Sequence, residues 1–291
     1  MKNKNKYTFT PIIIIGAARS GTNILRDTLA QLPSVTTWPC DEINYIWRHG
    51  NINYPSDEFP VELATPVVKE YIHKKFEEIA NSSNCEFVLE KTCANSLRVD
   101  FVNAVFPDSK IIFIVRDGID VIASTKKRWT SKLDILYTLK KVRFVPLTDL
   151  PYYALKFMYN RVYKLTSSEN RLNNWGPVLD NMIEIHNNHT LLEICALQWK
   201  KCVDSTEVSL NKIDKSRWLK IKYEDFVFNS DHVMNDVFNF INNEDKASSQ
   251  FAHMNIKNNS VGKGRVELEN SEIDIIKPII INTMVRNGYR I

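Results

Sequence analysis

The loop at residues 16–21, within the stretch "PIIIIGAARSGTNILRDTL", has the residue types that bind a phosphate-bearing anion. Its two terminal glycines let the backbone curl so that N–H groups and a helix N-terminus face the anion. Arg19 supplies a positive charge, and Thr22 and Asn23 supply side-chain donors. A loop for ATP or GTP would place Lys, then Ser or Thr, directly after the second glycine. The missing lysine, and the lack of an obvious strand ending in a metal-binding Asp, indicate an anion that is handled without Mg²⁺.

Two further segments, "VLEKTCANSL" and "IIFIVRDGIDVIASTKKRW", place polar residues directly after apolar runs. The second offers Arg116, and Ser124 follows eight residues later, about two helical turns on. Both could reach a phosphate, because Arg favours bidentate phosphate contacts. A structural ion pair of Arg116 with Asp117 or Asp120 is the alternative. Ligands of open α/β sheets bind at the carboxyl ends of the strands, so we expect these segments and the first loop to meet in one crevice.

The elements that would position these residues form three β–loop–helix units, and "RWLKIKY" adds a fourth strand. Short continuous apolar runs that alternate with helices are typical of a parallel sheet covered on both faces. We predict an α/β fold: a three-layer, P-loop-like domain with a central parallel β-sheet flanked by helices. A single domain over residues 1–291, a mostly helical insertion over 130–180 near the acceptor site, and a helix over 191–210 complete the prediction.

The composition limits the classes of partner that the protein can bind. A net charge of +4 over 291 residues fits an anionic small molecule better than nonspecific nucleic-acid binding, which needs a dense basic face. The five cysteines lack CxxC spacing and the six histidines form no cluster, which predicts free thiols in a cytoplasmic protein without a metal site. No apolar run approaches the roughly 20 residues of a membrane helix, so we expect no transmembrane segment. Oligomeric state is left open.

Together these segments resemble the sulfotransferases that use 3′-phosphoadenosine 5′-phosphosulfate (PAPS). "GAARSGTNILRDTL" resembles their 5′-phosphosulfate loop, and "IIFIVRDGIDVIASTKKRW" resembles their 3′-phosphate-binding segment. "VLEKTCANSL" is similar to the strand end of the carbohydrate and tyrosylprotein branches. "LKIKYEDFV" and "SVGKGRVEL" are similar to a later tyrosine strand and a C-terminal phosphate loop, in the same order. The resemblance is to a bacterial-type member with a small-molecule or glycan acceptor.

The resemblance implies PAPS as co-substrate, no metal, and a donor-binding role for residues in four segments. By position these are Arg19, Ser20, Gly21, Thr22, Asn23, Arg116, Ser124, Tyr223, Lys263, Gly264 and Arg265. Residues 19–23 would hold the 5′-phosphosulfate, and Arg116 and Ser124 would hold the 3′-phosphate. Tyr223 would line the nucleotide pocket, and residues 263–265 would close over the 3′-phosphate. Lys91 matches a lysine that neutralises the bridging region.

Transfer of a sulfuryl group to a hydroxyl needs a base as well as charge stabilisation of the leaving phosphate. In the carbohydrate and protein branches, a carboxylate follows the first helix by about twenty residues. The segment "WPCDEINYIW" lies there, and Glu42 is our choice of base, with Arg19 and Lys91 completing the catalytic set. Asp41 could replace Glu42, and Glu90 is a rival by comparison with the amine-sulfating branch. No histidine occupies a comparable position, which disfavours phenol and steroid acceptors.

We therefore expect transfer to a hydroxyl of a carbohydrate or glycolipid. A P-loop NTPase or small-molecule kinase is the main alternative, and the missing lysine and metal ligands count against it. A noncatalytic phosphate- or nucleic-acid-binding module is the third possibility, and the dispersed charge argues against it. Aromatic residues of the insertion, such as Tyr153 and Trp175, could stack on sugar rings or belong to the core.

Overall fold

A five-stranded parallel sheet forms the centre of the molecule. In the computed structural model, which describes residues 8–131, 142–166, 172–241 and 259–290, the strand order is β2-β3-β1-β4-β5. The strands are β1 (Thr10–Ile15), β2 (Val35–Thr37), β3 (Phe87–Lys91), β4 (Lys110–Val115) and β5 (Trp218–Lys222). The predicted parallel sheet is confirmed. The short β2 was not predicted, because three residues carry no readable periodicity.

The isoleucine run of β1 lies at the middle of this sheet, paired with β3 on one side and β4 on the other. Ile13 and Ile15 pack into the core on one face, and Ile12 and Ile14 pack into a second core on the opposite face. A strand buried on both faces needs apolar side chains at every position, which explains why the run does not alternate. The three predicted layers follow from these two cores.

Helices cover both faces of the sheet. They are α1 (Thr22–Leu29), α2 (Asn44–Arg48), α3 (Pro66–Ser83), α4 (Val99–Val105), α5 (Gly118–Trp129), α6 (Leu150–Thr166), α7 (Met182–Asn188), α8 (Leu191–Leu210), α9 (Tyr223–Phe228), α10 (Ser230–Ile241), α11 (Lys263–Glu267) and α12 (Asn270–Arg286). Short 3₁₀ helices lie at Val61–Leu63, Cys93–Leu97 and Lys215–Arg217. The helix predicted over 191–210 is α8. The described part of the 130–180 insertion contributes α6, while residues 132–141 and 167–171 lie outside the described residues.

Three local predictions need correction. The apolar spacing predicts that Ile24 shares the buried face of α1 with Leu25 and Leu29; the two leucines are buried, whereas Ile24 is 37% exposed. The helix expected from about residue 95 is divided into the 3₁₀ turn Cys93–Leu97 and α4. Residues 263–267, expected to lie in a loop, form α11, because Gly262 adopts a left-handed φ of 73° and starts a new helix there.

The glycines of the first loop are required by close contacts. A Cβ atom on Gly16 would lie 2.6 Å from the carbonyl oxygen of Ile114, because β1 ends against β4. Gly21 has a φ of 88°, and a Cβ there would lie 2.2 Å from a ring carbon of Tyr223. The tyrosine that follows β5 therefore packs directly on the loop that follows β1. The loop and Tyr223 form one packed unit.

This contact predicts that Gly21→Ala destabilises the fold far more than a glycine substitution with the same backbone cost. Gly262 also has a positive φ, 73°, but a Cβ placed on it would have no atom of the described residues within 4 Å. We expect Gly262→Ala to lower the free energy of unfolding by about 1 kcal/mol through backbone strain alone. Gly21→Ala adds the clash with Tyr223 and should cost roughly 3 kcal/mol. Urea unfolding measures both, and equal losses would contradict the packing.

Candidate functional site

The carboxyl ends of β3, β1 and β4, which are neighbours in the sheet, open onto one cavity. This strand-end cavity has a volume of about 370 Å³. It is lined by Ala18, Arg19, Gly21, Thr22, Asn23, Ile24, Asp41, Glu42, Lys91, Cys93, Arg116, Trp175, Gly176, Tyr223 and Ser260. Residues from the first loop, the "EKT" strand end and the "VRD" strand end thus meet, as their positions in a parallel sheet require.

Arg19 projects into the cavity from a strained backbone. Its φ is 71°, a left-handed conformation that residues other than glycine adopt at a cost of about 1–3 kcal/mol. Its Nε donates a hydrogen bond of 2.9 Å to Oγ of Ser124, which links the first loop to α5. Burial lowers the pKa of Arg19, and the nearby charges of Arg128 and Arg116 lower it further. The guanidinium lies among other cations, an environment that an anionic ligand would relieve.

Arg116 is buried where β4 ends. It donates hydrogen bonds to the carbonyl oxygens of Arg19, at 3.2 Å, and of Ser260, and its guanidinium lies over the ring of Tyr223, 4.4 Å from the ring centroid. It also forms the ion pair with Asp120 that the sequence offered as an alternative, at 3.3 Å. Arg116 therefore ties three loops together. Its Nε is buried and has no hydrogen-bond partner among the described residues.

Asp120, in the first turn of α5, holds the C-terminal loop in place. Its two carboxylate oxygens accept hydrogen bonds from the backbone N–H groups of Gly262, at 2.8 Å, and Gly264, at 2.6 Å. A Cβ on Gly264 would lie 2.5 Å from the carbonyl oxygen of Ile119, so only glycine allows this approach. The loop that the sequence assigns to the 3′-phosphate is thus anchored on α5 by a carboxylate.

The other residues assigned to the 3′-phosphate side are engaged with protein partners. Arg265 pairs with Asp117 at 2.7 Å, and Lys263 lies 3.6 Å from Glu267 at the surface. Neither lines the strand-end cavity, and nor do Ser20, Ser124 and Gly264. The buried hydroxyl of Ser20 has no hydrogen-bond partner among the described residues.

Lys91 and Glu42 form an ion pair in the wall of the strand-end cavity. Nζ of Lys91 lies 3.0 Å from Oε1 of Glu42, and the lysine side chain is 2% exposed while that of the glutamate is 28% exposed. The same oxygen accepts a longer hydrogen bond, 3.4 Å, from the backbone N–H of Cys93. Burial opposes the charge of Lys91, but Glu42 outweighs it and raises the lysine pKa above its ordinary value. The site therefore carries a fixed ammonium group.

Glu90 lies inside the protein instead of in the cavity. Its carboxylate accepts hydrogen bonds from Oγ1 of Thr92, at 2.5 Å, and from Nδ2 of Asn95, at 3.0 Å. Burial raises the pKa of Glu90 to about 7. Oγ1 of Thr92 also accepts a hydrogen bond from the N–H of Ile43, at 3.2 Å. Glu90 thus supports the segment that carries Glu42, and it does not face the cavity.

A larger cavity of about 650 Å³ adjoins the first. We call it the adjoining cavity; it is lined by Arg19, Asn23, Asp41, Asn44, Arg48, Asp57, Arg128, Ser131, Tyr153, Lys156, Asn160, Arg161, Leu172, Asn174, Trp175, Gly176 and Val178. Residues of the first loop, of the segment before α2 and of the insertion line both cavities: Arg19, Asn23, Asp41, Trp175 and Gly176. Asp41 faces both spaces, whereas Glu42 lines only the strand-end cavity. The two cavities form one continuous cleft.

Comparison with known proteins identifies the family. The model of the sulfotransferase family matches residues 11–174, more than half of the chain. The chain belongs to the sulfotransferase family. It is an enzyme of that class, with the P-loop-like fold that the sequence predicted.

Solved structures agree on the fold of this sulfotransferase. The sulfotransferase domain from the curacin biosynthetic pathway has a TM-score of 0.55 and 14% identity, over 97% of this chain and 99% of that one. Sulfotransferase STF9 from Mycobacterium avium has a TM-score of 0.54 and 14% identity, over 98% and 78%. The sulfotransferase domain from the Synechococcus PCC 7002 olefin synthase gives 0.51 and 14%, over 95% and 97%. Comparison with curated proteins finds no significant match.

Two negative findings apply to the described residues of this sulfotransferase. They contain no group of three or more His, Cys, Asp or Glu side chains that could hold a metal ion. None of the described helices combines the length and the apolar character that crossing a bilayer requires.

Sequence reasoning missed two residues that line the cleft, Gly176 and Arg128. Trp175 and Gly176 line both cavities, and Arg128, on the last turn of α5, lines the adjoining one. Trp175 was noted only as one of several aromatics. Arg128 stands four residues after Ser124, one helical turn, and this spacing was the signal that could have identified it.

The position of Glu90 predicts a pH-dependent stability. An acid whose pKa is raised by folding is more protonated in the folded state, so stability falls as pH rises from 4.5 to about 7. We expect the free energy of unfolding to fall by about 2–3 kcal/mol over this range through Glu90. Glu90→Gln, which stays neutral, should remove this component in urea unfolding at pH 5 and pH 8.

Glu86→Gln is the matched control, because Glu86 is an exposed acid just before the same strand. It should keep the pH dependence of the wild type. An unchanged dependence in Glu90→Gln as well would show that the Glu90 carboxyl ionises in the folded protein as it does in the unfolded chain.

Proposed function

We propose that the chain transfers the sulfuryl group of PAPS to a hydroxyl of a carbohydrate or glycolipid acceptor. The observation that carries the proposal is the Lys91–Glu42 pair, which opens onto the same cavity as the first loop. A cation and a carboxylate in one cavity can stabilise a leaving phosphate and accept a proton. Family membership establishes sulfuryl transfer as the reaction class.

The donor would bind across the ends of β1 and β4. Backbone N–H groups at the start of α1, with Arg19, Thr22 and Asn23, would hold the 5′-phosphosulfate. Arg116 and Ser124, with the loop anchored by Asp120, would contact the 3′-phosphate. In the structure these groups bond to one another, so the phosphate would replace some protein partners. The buried Nε of Arg116 is an N–H donor that such an anion could satisfy.

The proposed transfer step is an in-line displacement at sulfur. The acceptor oxygen forms a bond to sulfur while the bond from sulfur to the bridging oxygen of the phosphosulfate breaks. The hydroxyl proton passes to the carboxylate base, and the electron pair of the broken bond stays on the phosphate of 3′,5′-adenosine bisphosphate. Lys91 and Arg19 would stabilise the charge that develops on this leaving phosphate.

Glu42 remains our choice of base, and Asp41 remains the alternative. Glu42 lines the strand-end cavity and is held by Lys91, whereas Asp41 lies at the junction of the two cavities. If Lys91 turns towards the bridging oxygen when the donor binds, Glu42 loses its cationic partner and becomes more basic. Glu90, enclosed by Thr92 and Asn95, would act only by supporting this segment.

Nucleotide binding tests the donor assignment. We expect 3′,5′-adenosine bisphosphate to bind in the presence of a chelator, at least tenfold more tightly than AMP. Charged hydrogen bonds contribute about 1.5–3 kcal/mol each, and AMP lacks the phosphate that would receive those of Arg116 and Ser124. Isothermal titration calorimetry measures both affinities. Equal affinities would contradict the 3′-phosphate site, and a requirement for Mg²⁺ would favour an NTPase.

Substitution of the acids tests the base. Glu42→Gln keeps shape and polarity but cannot take the proton, so we expect kcat to fall by roughly 10²–10⁴-fold. Affinity for 3′,5′-adenosine bisphosphate should stay equal or rise, because Lys91 loses its carboxylate partner. Asp41→Asn is the matched control in the same segment and should cost much less. An inactive Asp41→Asn beside an active Glu42→Gln would move the role of base to Asp41.

A further inference from the structure

The adjoining cavity has an excess of positive charge. Its basic lining residues are Arg19, Arg48, Arg128, Lys156 and Arg161, and its acidic lining residues are Asp41 and Asp57. Asp41 can offset at most one of the five cations, so the size of the excess depends on whether Asp57 neutralises the others locally. The partners of each charge therefore decide what the cavity can bind.

Asp57 is fully engaged with two arginines. Its Oδ1 lies 2.8 Å from Nη1 of Arg48 and 3.5 Å from Nη1 of Arg98, and all three side chains are buried. Its Oδ2 accepts a hydrogen bond from the N–H of Val178. Burial would raise the pKa of Asp57, but Arg98 and Arg48 outweigh it and hold that pKa below its ordinary value. This cluster carries two cations and one anion, so it offers no negative charge to the rest of the cavity.

Three of the remaining cations have no carboxylate partner within residues 8–131, 142–166, 172–241 and 259–290. These are Arg128, Lys156 and Arg161. The side chains of Lys156 and Arg161, both on α6, lie over aromatic rings. Nζ of Lys156 is 5.7 Å from the ring centroid of Tyr152, and Cζ of Arg161 is 5.2 Å from that of Phe157. The Nε of Arg161 is buried and has no hydrogen-bond partner in that part of the chain.

The lysines next to Arg128 on α5 show that this arrangement is local to the cavity. Lys126 pairs with Glu272 at 2.5 Å, and Lys127 pairs with Glu267 at 2.6 Å, both outside the cleft. Cations of the same helix that face away from the cavity therefore have acidic partners. Like charges that converge without a counter-charge raise the free energy of the empty site, and a bound anion relieves that cost.

From this juxtaposition we propose that the acceptor carries an anionic group, bound by Arg128, Lys156 and Arg161 in the adjoining cavity. The proposal rests on the proposed function and specifies the acceptor further. The shared lining residues Arg19, Asp41 and Trp175 make the two cavities continuous. A molecule held by its anion near α6 would thus extend its hydroxyl towards Glu42. A volume of about 650 Å³ suits a small-molecule or single-sugar group.

The most suitable anion is a phosphate, because two arginines can each donate two parallel hydrogen bonds to its oxygens. A carboxylate offers fewer acceptor oxygens, and a neutral sugar brings no charge to balance the three cations. A hydroxyl compound that also bears a phosphate is therefore the acceptor class that the cavity favours.

Calorimetry with matched probes tests this inference. Glucose 6-phosphate, glucuronate and glucose are titrated into the protein, both alone and saturated with 3′,5′-adenosine bisphosphate. We expect the sugar phosphate to bind at least tenfold more tightly than glucose in the nucleotide-saturated protein, with glucuronate between them. Arg128→Met and Arg161→Met should each weaken binding of the phosphate about tenfold, and Arg161→Met, which is farther from the donor site, should leave nucleotide affinity unchanged.

Lys127→Met is the matched control, since it removes the same charge from the neighbouring position outside the cavity. It should leave all probe affinities unchanged. Equal binding of glucose and glucose 6-phosphate, or no binding of either, would overturn the proposal, as would an equal loss in Lys127→Met and Arg128→Met. If the nucleotide does not bind but the phosphate binds in an Arg128-dependent way, the anion site stands and the proposed function fails.

Discussion

The buried ammonium group of Lys91 is the constraint on which the site depends. An isolated charge in a protein interior costs several kcal/mol, so it must have a partner of opposite sign. Glu42 supplies that partner from a segment 49 residues earlier in the chain. The segment is held in turn by the hydrogen bond from Ile43 to Thr92 and by one from Arg98 to Asn44. One charge at a strand end thus fixes the position of the carboxylate that we assign as base.

Other buried cations around the cleft are also paired with carboxylates. Arg48 and Arg98 share Asp57, and Arg116 pairs with Asp120, which also holds the C-terminal loop. Each of these buried cations therefore joins segments of the cleft wall. Arg128, Lys156 and Arg161 lie in the same cleft without such partners in the described chain, and this contrast separates structural charges from charges directed at a ligand.

The sequence predicted the sheet because a strand buried on both faces leaves an unmistakable apolar run, as in β1 and β4. It also predicted that the first loop, Lys91 and Arg116 would meet, because parallel strands end at one edge. It placed Lys91 in the site, but it also left the neighbouring Glu90 open as a rival base. Successive residues of a strand point to opposite faces, so one faces the cavity and the other the interior, and "EKT" alone does not say which.

The sequence could not predict which side chains far apart in the chain would pair, because packing determines those pairs. The choice between a ligand contact and an ion pair for Arg116 depends on how closely Asp120 and Ser260 approach, which only packing determines. The pairing of Asp57, and with it the surplus charge of the adjoining cavity, depends likewise on the fold of residues 48–57 against 98 and 178. Spacing identifies candidate residues, whereas packing decides their partners.

The most direct test of the account is transfer of isotopically labelled sulfate from PAPS to a panel of glycans and sugar phosphates, with mass analysis of the products. The account predicts that a hydroxyl compound bearing a phosphate gains one SO₃ unit, that 3′,5′-adenosine bisphosphate forms in equal amount, and that a chelator has no effect. Transfer of a phosphate from ATP that requires Mg²⁺, with no product from PAPS, would contradict it.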